Sequence, residues 1–429
     1  MKLLIKGGRV INPANNADDI LDILIEQSKI VQVAKGIPSE AGRIIDATGK
    51  LVMPGLVDMH VHFREPGRED KETVLTGTCA ALRGGITSCL AMPNTLPAVD
   101  CVEAVGSLKE IIKKTAKANV FICAAISKGR QGQEMTDMAA LKKAGALAVT
   151  DDGCSVDCDS LLLKALQAAG KNRVLVICHS EDKSLSAGGV VNLGIVSTRM
   201  GLRGISKESE YKRVMRDIQL AKQAGVSIHI AHVSCRESVE IIANAKKEGV
   251  AVSAETAPHY FSLTDAQALG YDTNMKVNPP LRSQDDVEAI RQGLASGAID
   301  AIASDHAPHT ENEKDIEFEH AAFGSIGLET ELAVSITELV KTGVLDWISL
   351  ARKLSLNPAS ILGLGKGDLS IGKDADIIII DPERAWTVTR EGFLSKSRNC
   401  AFLGKGLRGL VEYTICNGRV AYAESSKSF

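Results

Sequence analysis

Hydrophobic and polar positions along this chain follow two different periods. Over residues 3–51 the apolar runs are short (LLIKGGRVI, DILIEQSKIVQVA, RIIDATGKLVM) and are separated by Gly, Asn and Asp turns with no helical repeat. Residues 368–421 are built the same way, with DLSIGKDADIIIIDP, AWTV and LVEYTICNGRVAYA. Two strand-rich ends around a different middle predict a small β-sandwich domain built from both termini, residues 1–52 and 366–429.

Within residues 53–365, extended stretches alternate with helical ones, which is the signature of βαβ units on a parallel sheet. Eight strands are predicted: GLVDMHVHF, ITSCLAMP, NVFICAAIS, ALAVTDD, VLVICHSE, SIHIAHVS, AVSAETAPHY and AIDAIASDHAP. Helical stretches such as KETVLTGTCAALRGG, DSLLLKALQAAGKN, YKRVMRDIQLAKQAG and ESVEIIANAKKEG lie between them, several of them ending at Gly. Eight strands with crossover helices over this length predict an α/β fold, a (β/α)8 TIM-like barrel, rather than an open doubly wound sheet. No Gly-rich G-x-G-x-x-G or Walker loop follows the first strand, which argues against a nucleotide-binding fold.

Composition narrows the function without naming it. A net charge of −3 and a pI near 6.3, with no long Lys/Arg block, give no electrostatic footprint for nucleic acid or an anionic membrane. The N-terminal MKLLIKGGRV is too short in apolar residues for a signal-peptide core, and no run is long enough to span a bilayer, so a cytoplasmic enzyme is expected. The ten cysteines are scattered, and the close pair Cys154 and Cys158 lacks C-x-x-C spacing. Free buried thiols are therefore expected, and not a cysteine zinc site.

The polar exceptions in the barrel fall at the strand ends, where a fold of this kind keeps its chemistry. The first strand ends in His60 and His62, which a two-residue repeat puts on one face, with Met59, Val61 and Phe63 on the other. The fourth ends in Asp151 and Asp152, the fifth in His179, the sixth in His232 and the eighth in Asp305. A lone histidine in a strand is more often a hydrogen-bonded core residue, and a lone aspartate often caps a helix. Four imidazoles and two carboxylates converging on one barrel mouth would be costly to bury unpaired, and a divalent metal centre resolves that cost. His229, three residues before His232 and so on the opposite face, is expected to be packing. His259 is expected to be structural or to support the centre, and His320 to face solvent.

Taken in order, DMHVHFREPG, AMPNT, TDDG, ICHSED, HIAHVS, AETAPHYF, VNPPLRS and ASDHAPH resemble the bacterial dihydroorotases of the metal-dependent amidohydrolase superfamily, over essentially the whole chain. The resemblance implies a distorted TIM barrel with two zinc ions per subunit and the reversible hydrolysis of (S)-dihydroorotate to N-carbamoyl-L-aspartate in pyrimidine synthesis. By motif, His60, His62 and Asp305 would bind the first metal, and His179 and His232 the second. Many superfamily members bridge the metals with a carboxylated lysine on the fourth strand, but ALAVTDDG has none, and Lys142 and Lys143 lie too far upstream. The dihydroorotase pattern implies Asp152 as the bridge, although strand parity does not separate it from Asp151. Arg64, Asn94 and His309, with His62, would hold the substrate carboxylate, while Asn278 and the backbone of Phe323 and Gly324 would hold the ring amides.

Zinc lowers the pKa of bound water to ~7 and polarises a carbonyl. The resemblance therefore implies attack by a metal-bound hydroxide, with Asp305 as general acid and base at the ring nitrogen. It also implies a homodimer and aspartate transcarbamoylase as a partner. Two rival readings remain: hydantoinase, dihydropyrimidinase or allantoinase, whose rings lack the carboxylate, and a non-catalytic scaffold, which would have lost ligands. Arg64, Asn94 and the lysine-free fourth strand oppose the first, and the full set of six candidate ligands opposes the second. Residues 309–327, polar and acidic after the last strand, are expected to be either a lid or a solvated loop.

Overall fold

The aliphatic runs near the start of the chain pair as predicted, in short strands between glycine and asparagine turns. The computed structural model describes residues 2–38 and 42–425; the ends of the predicted terminal unit at residues 1, 39–41 and 426–429 lie outside the described residues. β1 (Lys2–Asn12), β2 (Ala17–Glu26) and β3 (Lys29–Ala34) form an antiparallel meander, and β4 (Arg43–Asp46) and β5 (Leu51–Pro54) lie parallel to β1.

All eight barrel strands are present. They are β6 (Leu56–Val61), β7 (Ile86–Ala91), β8 (Asn119–Ala124), β9 (Ala146–Val149), β10 (Leu175–Cys178), then, after a small parallel pair β11 (Val191–Asn192) and β12 (Gly204–Ile205), β13 (Ile228–Ile230), β14 (Val252–Thr256) and β15 (Ala301–Ile302). They run parallel in the order β15-β14-β13-β10-β9-β8-β7-β6. A bridge from Val61 to His306, with the His62 amide donating to the His306 carbonyl at 3.0 Å, nearly closes the ring. The buried Asp58 carboxylate reinforces this seam by accepting from the His60 and Ser304 amides.

The strand faces carry two clusters. Val176, Ile228 and Ile230 pack with the helical residues Leu166, Ile218 and Ile242, while Cys123, Ala148, Ile177, Ala231 and Ala303 join Ala359 and Leu362 from the last helix. Strict alternation fails in β6: Met59 joins the second cluster, while Val61 and Phe63 join the first. The pairing with β7 slips between Asp58 and Val61, and such a bulge re-aims the residues around it. The predicted helices are found at Val74–Arg83, Asp159–Asn172, Glu208–Ala224 and Arg236–Lys247. Glu208–Ala224 ends at a left-handed glycine, Gly225, but Asp159–Asn172 is capped by Arg173 in the same conformation. All ten cysteines are free; Cys101 and Cys158 are exposed, so the expectation of buried thiols fails for these two. Among the described residues no helix is long and apolar enough to cross a membrane.

After the barrel the chain returns as β16 (Ile377–Thr387), β17 (Gly406–Cys416) and β18 (Arg419–Ala423). β16 pairs antiparallel with β5, so strands from both ends make one sheet in the order β18-β17-β16-β5-β1-β2-β3. The four consecutive isoleucines of β16 serve two cores. Ile377 and Ile379 pack with Leu3, Ile5 and Ile23 of the terminal sheet, and Ile378 and Ile380 pack with the barrel's outer layer. All four are fully buried. Replacing Ile378 by Ala is therefore expected to cost about 2–5 kcal/mol, read from the shift of the urea unfolding midpoint at unchanged slope.

Candidate metal centre

Three of the four imidazoles at the barrel mouth are held by one nitrogen and present the other. His60 Nδ1 lies 2.7 Å from Glu255 Oε1, which leaves Nε2 facing Asp152 at 3.2 Å. His62 Nδ1 lies 2.8 Å from Asn94 Oδ1, with Nε2 3.3 Å from Asp305 and 3.5 Å from Asp152. His179 reverses the roles: Nε2 meets Glu181 Oε2 at 3.0 Å, and Nδ1 faces His232 Nε2 at 2.8 Å and Asp152 at 3.5 Å. An acceptor claims a proton on one ring nitrogen, so the other is the nitrogen turned inward and free to bind a cation once deprotonated.

Asp152 and Asp151, which strand parity leaves undecided, have different surroundings. Asp152 faces all four imidazoles, with His232 Nε2 at 3.6 Å. Asp151 turns away and accepts from the Ile126 and Ser127 amides and the Ser127 hydroxyl. Asp305 lies 3.3 Å from His62 Nε2 and 3.7 Å from His60 Nε2.

The backbone is bent to make this arrangement. Arg64, His232 and Asp305 have φ of +60°, +37° and +46°. Left-handed backbone costs a non-glycine residue roughly 1–2 kcal/mol, and such residues cluster where a side chain must be aimed out of strand register. His229 is buried beside Ser253 Oγ at 2.8 Å, with Nε2 3.3 Å from Glu255 Oε2. It therefore packs as expected, and in doing so it backs the glutamate that holds His60.

The donor set suits a divalent cation. Donor atoms of His60, Asp152 and His232 lie within 4.8 Å of one another, as do those of His60, His62 and Asp305. His60 Nε2 is buried without a hydrogen bond, an uncompensated ring nitrogen that a cation would satisfy. Burial alone would raise the pKa of Asp152, but the imidazoles, His60 first among them, hold it well below the usual range. Burial likewise opposes protonation of His60 and His179, yet the carboxylates win: His60 is raised well above its ordinary value by Asp152, and His179 is raised to about 10 by Asp152 and Glu181. His62 moves the other way, because burial dominates.

Arg64 borders this cluster. Its Nε donates to the Pro308 carbonyl at 3.2 Å, and one terminal nitrogen lies 3.4 Å from His309 Nε2. His309 Nε2 is 2.8 Å from the Phe323 carbonyl and Nδ1 is 3.2 Å from Lys71 Nζ, so the ring is an Nε2–H tautomer that accepts from the lysine. Burial and the nearby cations, Arg64 first, press His309 down to about 2, so it is neutral. Asn278 Nδ2 reaches Glu181 Oε2 at 3.2 Å. His259 is buried against Tyr260, its ring nitrogen Nε2 without a partner and its pKa lowered to about 4 by burial. His320 is exposed.

Sequence reasoning missed Glu255, Glu181 and Lys71. Glu255 ends its strand as the histidines end theirs, in AETAPHYF, and Glu181 stands two residues after His179 in ICHSED, so both carried the strand-end signal. Lys71 carried none.

Comparison with known proteins places this geometry. Residues 49–238 match the family described as Dihydro-orotase-like. The dihydroorotase of Elusimicrobium minutum (strain Pei191) is 52% identical over 98% of this chain and 97% of its own length. That of Pelotomaculum thermopropionicum is 51% identical over 98% of each. Among solved structures, an L-hydantoinase (dihydropyrimidinase) from Arthrobacter aurescens superposes with a TM-score of 0.88 at 26% identity, over 97% of this chain and 95% of that one. A D-hydantoinase superposes equally well, TM-score 0.88, at 23% identity over 100% of this chain and 96% of its own, a likeness of fold alone.

Two outcomes follow for the cluster. Glu255→Gln should weaken retention of a divalent metal by about 10–100-fold while leaving the barrel folded, as read by metal analysis after dialysis against a graded chelator series. Because Asp152 and Glu181 raise His179 to about 10, cation uptake there must expel its proton. Apparent affinity should then rise as pH rises toward about 10, with protons released as the cluster fills, measured by titration in a weakly buffered indicator solution.

Proposed function

This chain belongs to the dihydroorotases, and on that premise we propose how its residues carry out the reaction. It is a cyclic amidohydrolase that interconverts (S)-dihydroorotate and N-carbamoyl-L-aspartate in pyrimidine synthesis. Two zinc ions would be held by the cluster, one by His60, His62 and Asp305, the other by His179 and His232, with Asp152 within reach of both sets of ligands. Bound there, zinc would supply a water of pKa ~7 and a Lewis acid for the ring carbonyl.

The chain's own groups do the rest. Asp305, kept ionised by His62 and His60, accepts the proton of the attacking water as its oxygen bonds to the ring carbonyl carbon. It returns that proton to the ring nitrogen as the C–N bond breaks, and in synthesis it takes the proton from the ureido nitrogen instead. Asn94 accepts from His62 through Oδ1, which leaves its amide hydrogens for substrate. Asn278 and the Phe323–Gly324 backbone are proposed for the ring amides, and His309, with His62, for the carboxylate. The same resemblance proposes a cytoplasmic homodimer with aspartate transcarbamoylase as a partner.

The observation that carries the substrate assignment is Arg64. It is a half-buried guanidinium at the edge of the cluster whose Nε donates to a carbonyl while a terminal nitrogen faces the N–H of a neutral histidine; among the described residues it forms no ion pair with a carboxylate. An unpaired guanidinium fork at that place suits a carboxylate on the ring, which hydantoin and allantoin lack.

Hydrolysis of (S)-dihydroorotate by the purified protein, followed by loss of ring absorbance with hydantoin and allantoin in parallel and a chelator control, tests the reading. Chelator-sensitive turnover of dihydroorotate alone is expected; turnover of the uncharged rings would move the chain to the hydantoinases, and silence on all three would favour a scaffold. Asp305→Asn should fold normally and lose about 100-fold or more in kcat, and near-normal turnover would remove Asp305 from the mechanism.

A further inference from the structure

Residues 309–327 leave the barrel just after Asp305 and return along its mouth, and two buried lysines set their path. Lys276 Nζ donates to the carbonyls of Phe318 at 2.9 Å and Glu319 at 2.8 Å, and lies 4.5 Å from the centroid of the Phe323 ring. Lys314 Nζ donates to the carbonyls of Ala322 at 2.8 Å and Gly324 at 3.0 Å. The two are 2% and 6% exposed, and among the described residues neither forms an ion pair. A lysine buried without a carboxylate is unusual, because the ammonium forfeits its hydration for whatever it donates to. Here it donates only to backbone, and burial presses Lys276 down to about 8 and Lys314 to about 7.

What they hold is the stretch of chain that carries the peptide proposed to face the substrate ring. The Gly324 amide donates to the Lys276 carbonyl at 2.8 Å, and the Gly324 carbonyl accepts from Asn399 Nδ2 at 3.1 Å as well as from Lys314. The Phe323 carbonyl fixes the His309 ring. Gly324 has φ of +138°, and a Cβ there would come within 2.7 Å of Ala307 Cβ. The peptide is thus pressed against the strand-end segment on one side, while Lys314 Nζ ties the carbonyls of Ala322 and Gly324 that flank it and Lys276 Nζ ties the Phe318–Glu319 stretch that leads into it.

We propose that Lys276 and Lys314 are positioning residues: Lys314 ties the carbonyls on either side of the Phe323–Gly324 peptide and Lys276 ties the Phe318–Glu319 stretch before it, and together they keep that peptide and, through it, His309 at the spacing dihydroorotate requires, and so set substrate affinity without touching substrate. The proposal rests on the reading that Phe323, Gly324 and His309 contact the substrate. It deepens that reading by naming what keeps the contact surface in place.

Lys314→Met and Lys276→Met keep chain length and remove the donors. Each is expected to raise KM for dihydroorotate about tenfold with kcat changed less than about threefold, with metal content retained, and Lys314→Arg should recover part of the loss. Gly324→Ala and His309→Asn test the underlying reading separately. If these two leave KM unchanged, the substrate-contact reading fails. If they raise KM while both methionine variants keep the wild-type value, the positioning role alone fails. Loss of metal and thermal stability in step with kcat would make the lysines merely structural and overturn the proposal. Should Lys314→Met not fold, Lys314→Gln and Lys276→Met give the same KM-against-kcat readout.

Discussion

The carboxylate of Asp152 is buried among the nitrogens of His60, His62, His179 and His232, between 3.2 and 3.6 Å from each. So many titratable groups out of water would repel, desolvate or scramble their protons unless every outward-facing atom were committed elsewhere. The surrounding structure supplies those commitments one ring at a time: Glu255 for His60, Asn94 for His62, Glu181 for His179. Even the barrel seam contributes, since the Asp58 carboxylate grips the His60 amide and the Ser304 amide together. Burial lifts Asp58 to about 6, so its ionised form costs the fold stability at neutral pH, and that cost shrinks as pH falls through 6.

Much of this was legible in the chain. The alternation of extended and helical stretches placed all eight barrel strands, because each is a continuous aliphatic run between turn residues and parallel strands covered on both faces need no polar alternation. Candidate ligands were legible for the complementary reason, as polar residues that interrupt those runs at one end. What was not legible depends on backbone the pattern does not encode. The slip in β6 sends Met59 away from Val61 and Phe63, and the left-handed turn at His232 removes the parity argument that set it against His229. The β11–β12 pair also went unseen, because strands of two residues have no period to detect. Asp151 is turned away from the cluster by Ile126 and Ser127, which lie 25 and 24 residues away in sequence.

The same limit explains the missed carboxylates. Glu255 and Glu181 stand at strand ends like the histidines they serve, but a glutamate there looks like an ordinary helix-start or surface acid. Their identity as partners comes from pairs such as His60 with Glu255, 195 residues apart. A pattern read locally finds the residues that break it, whereas the groups that keep those residues in register are distributed over the whole barrel.

The four isoleucines of β16 have a consequence for how the protein comes into being. Ile378 covers Gly85 at the start of the second barrel strand, yet it follows that glycine by nearly three hundred positions. A barrel emerging from the ribosome therefore meets the tunnel exit with one flank bare and oily until the final strands appear. During that interval the nascent chain presents an apolar surface that a chaperone can grasp, and synthesis order, more than the finished architecture, sets when that surface is sealed.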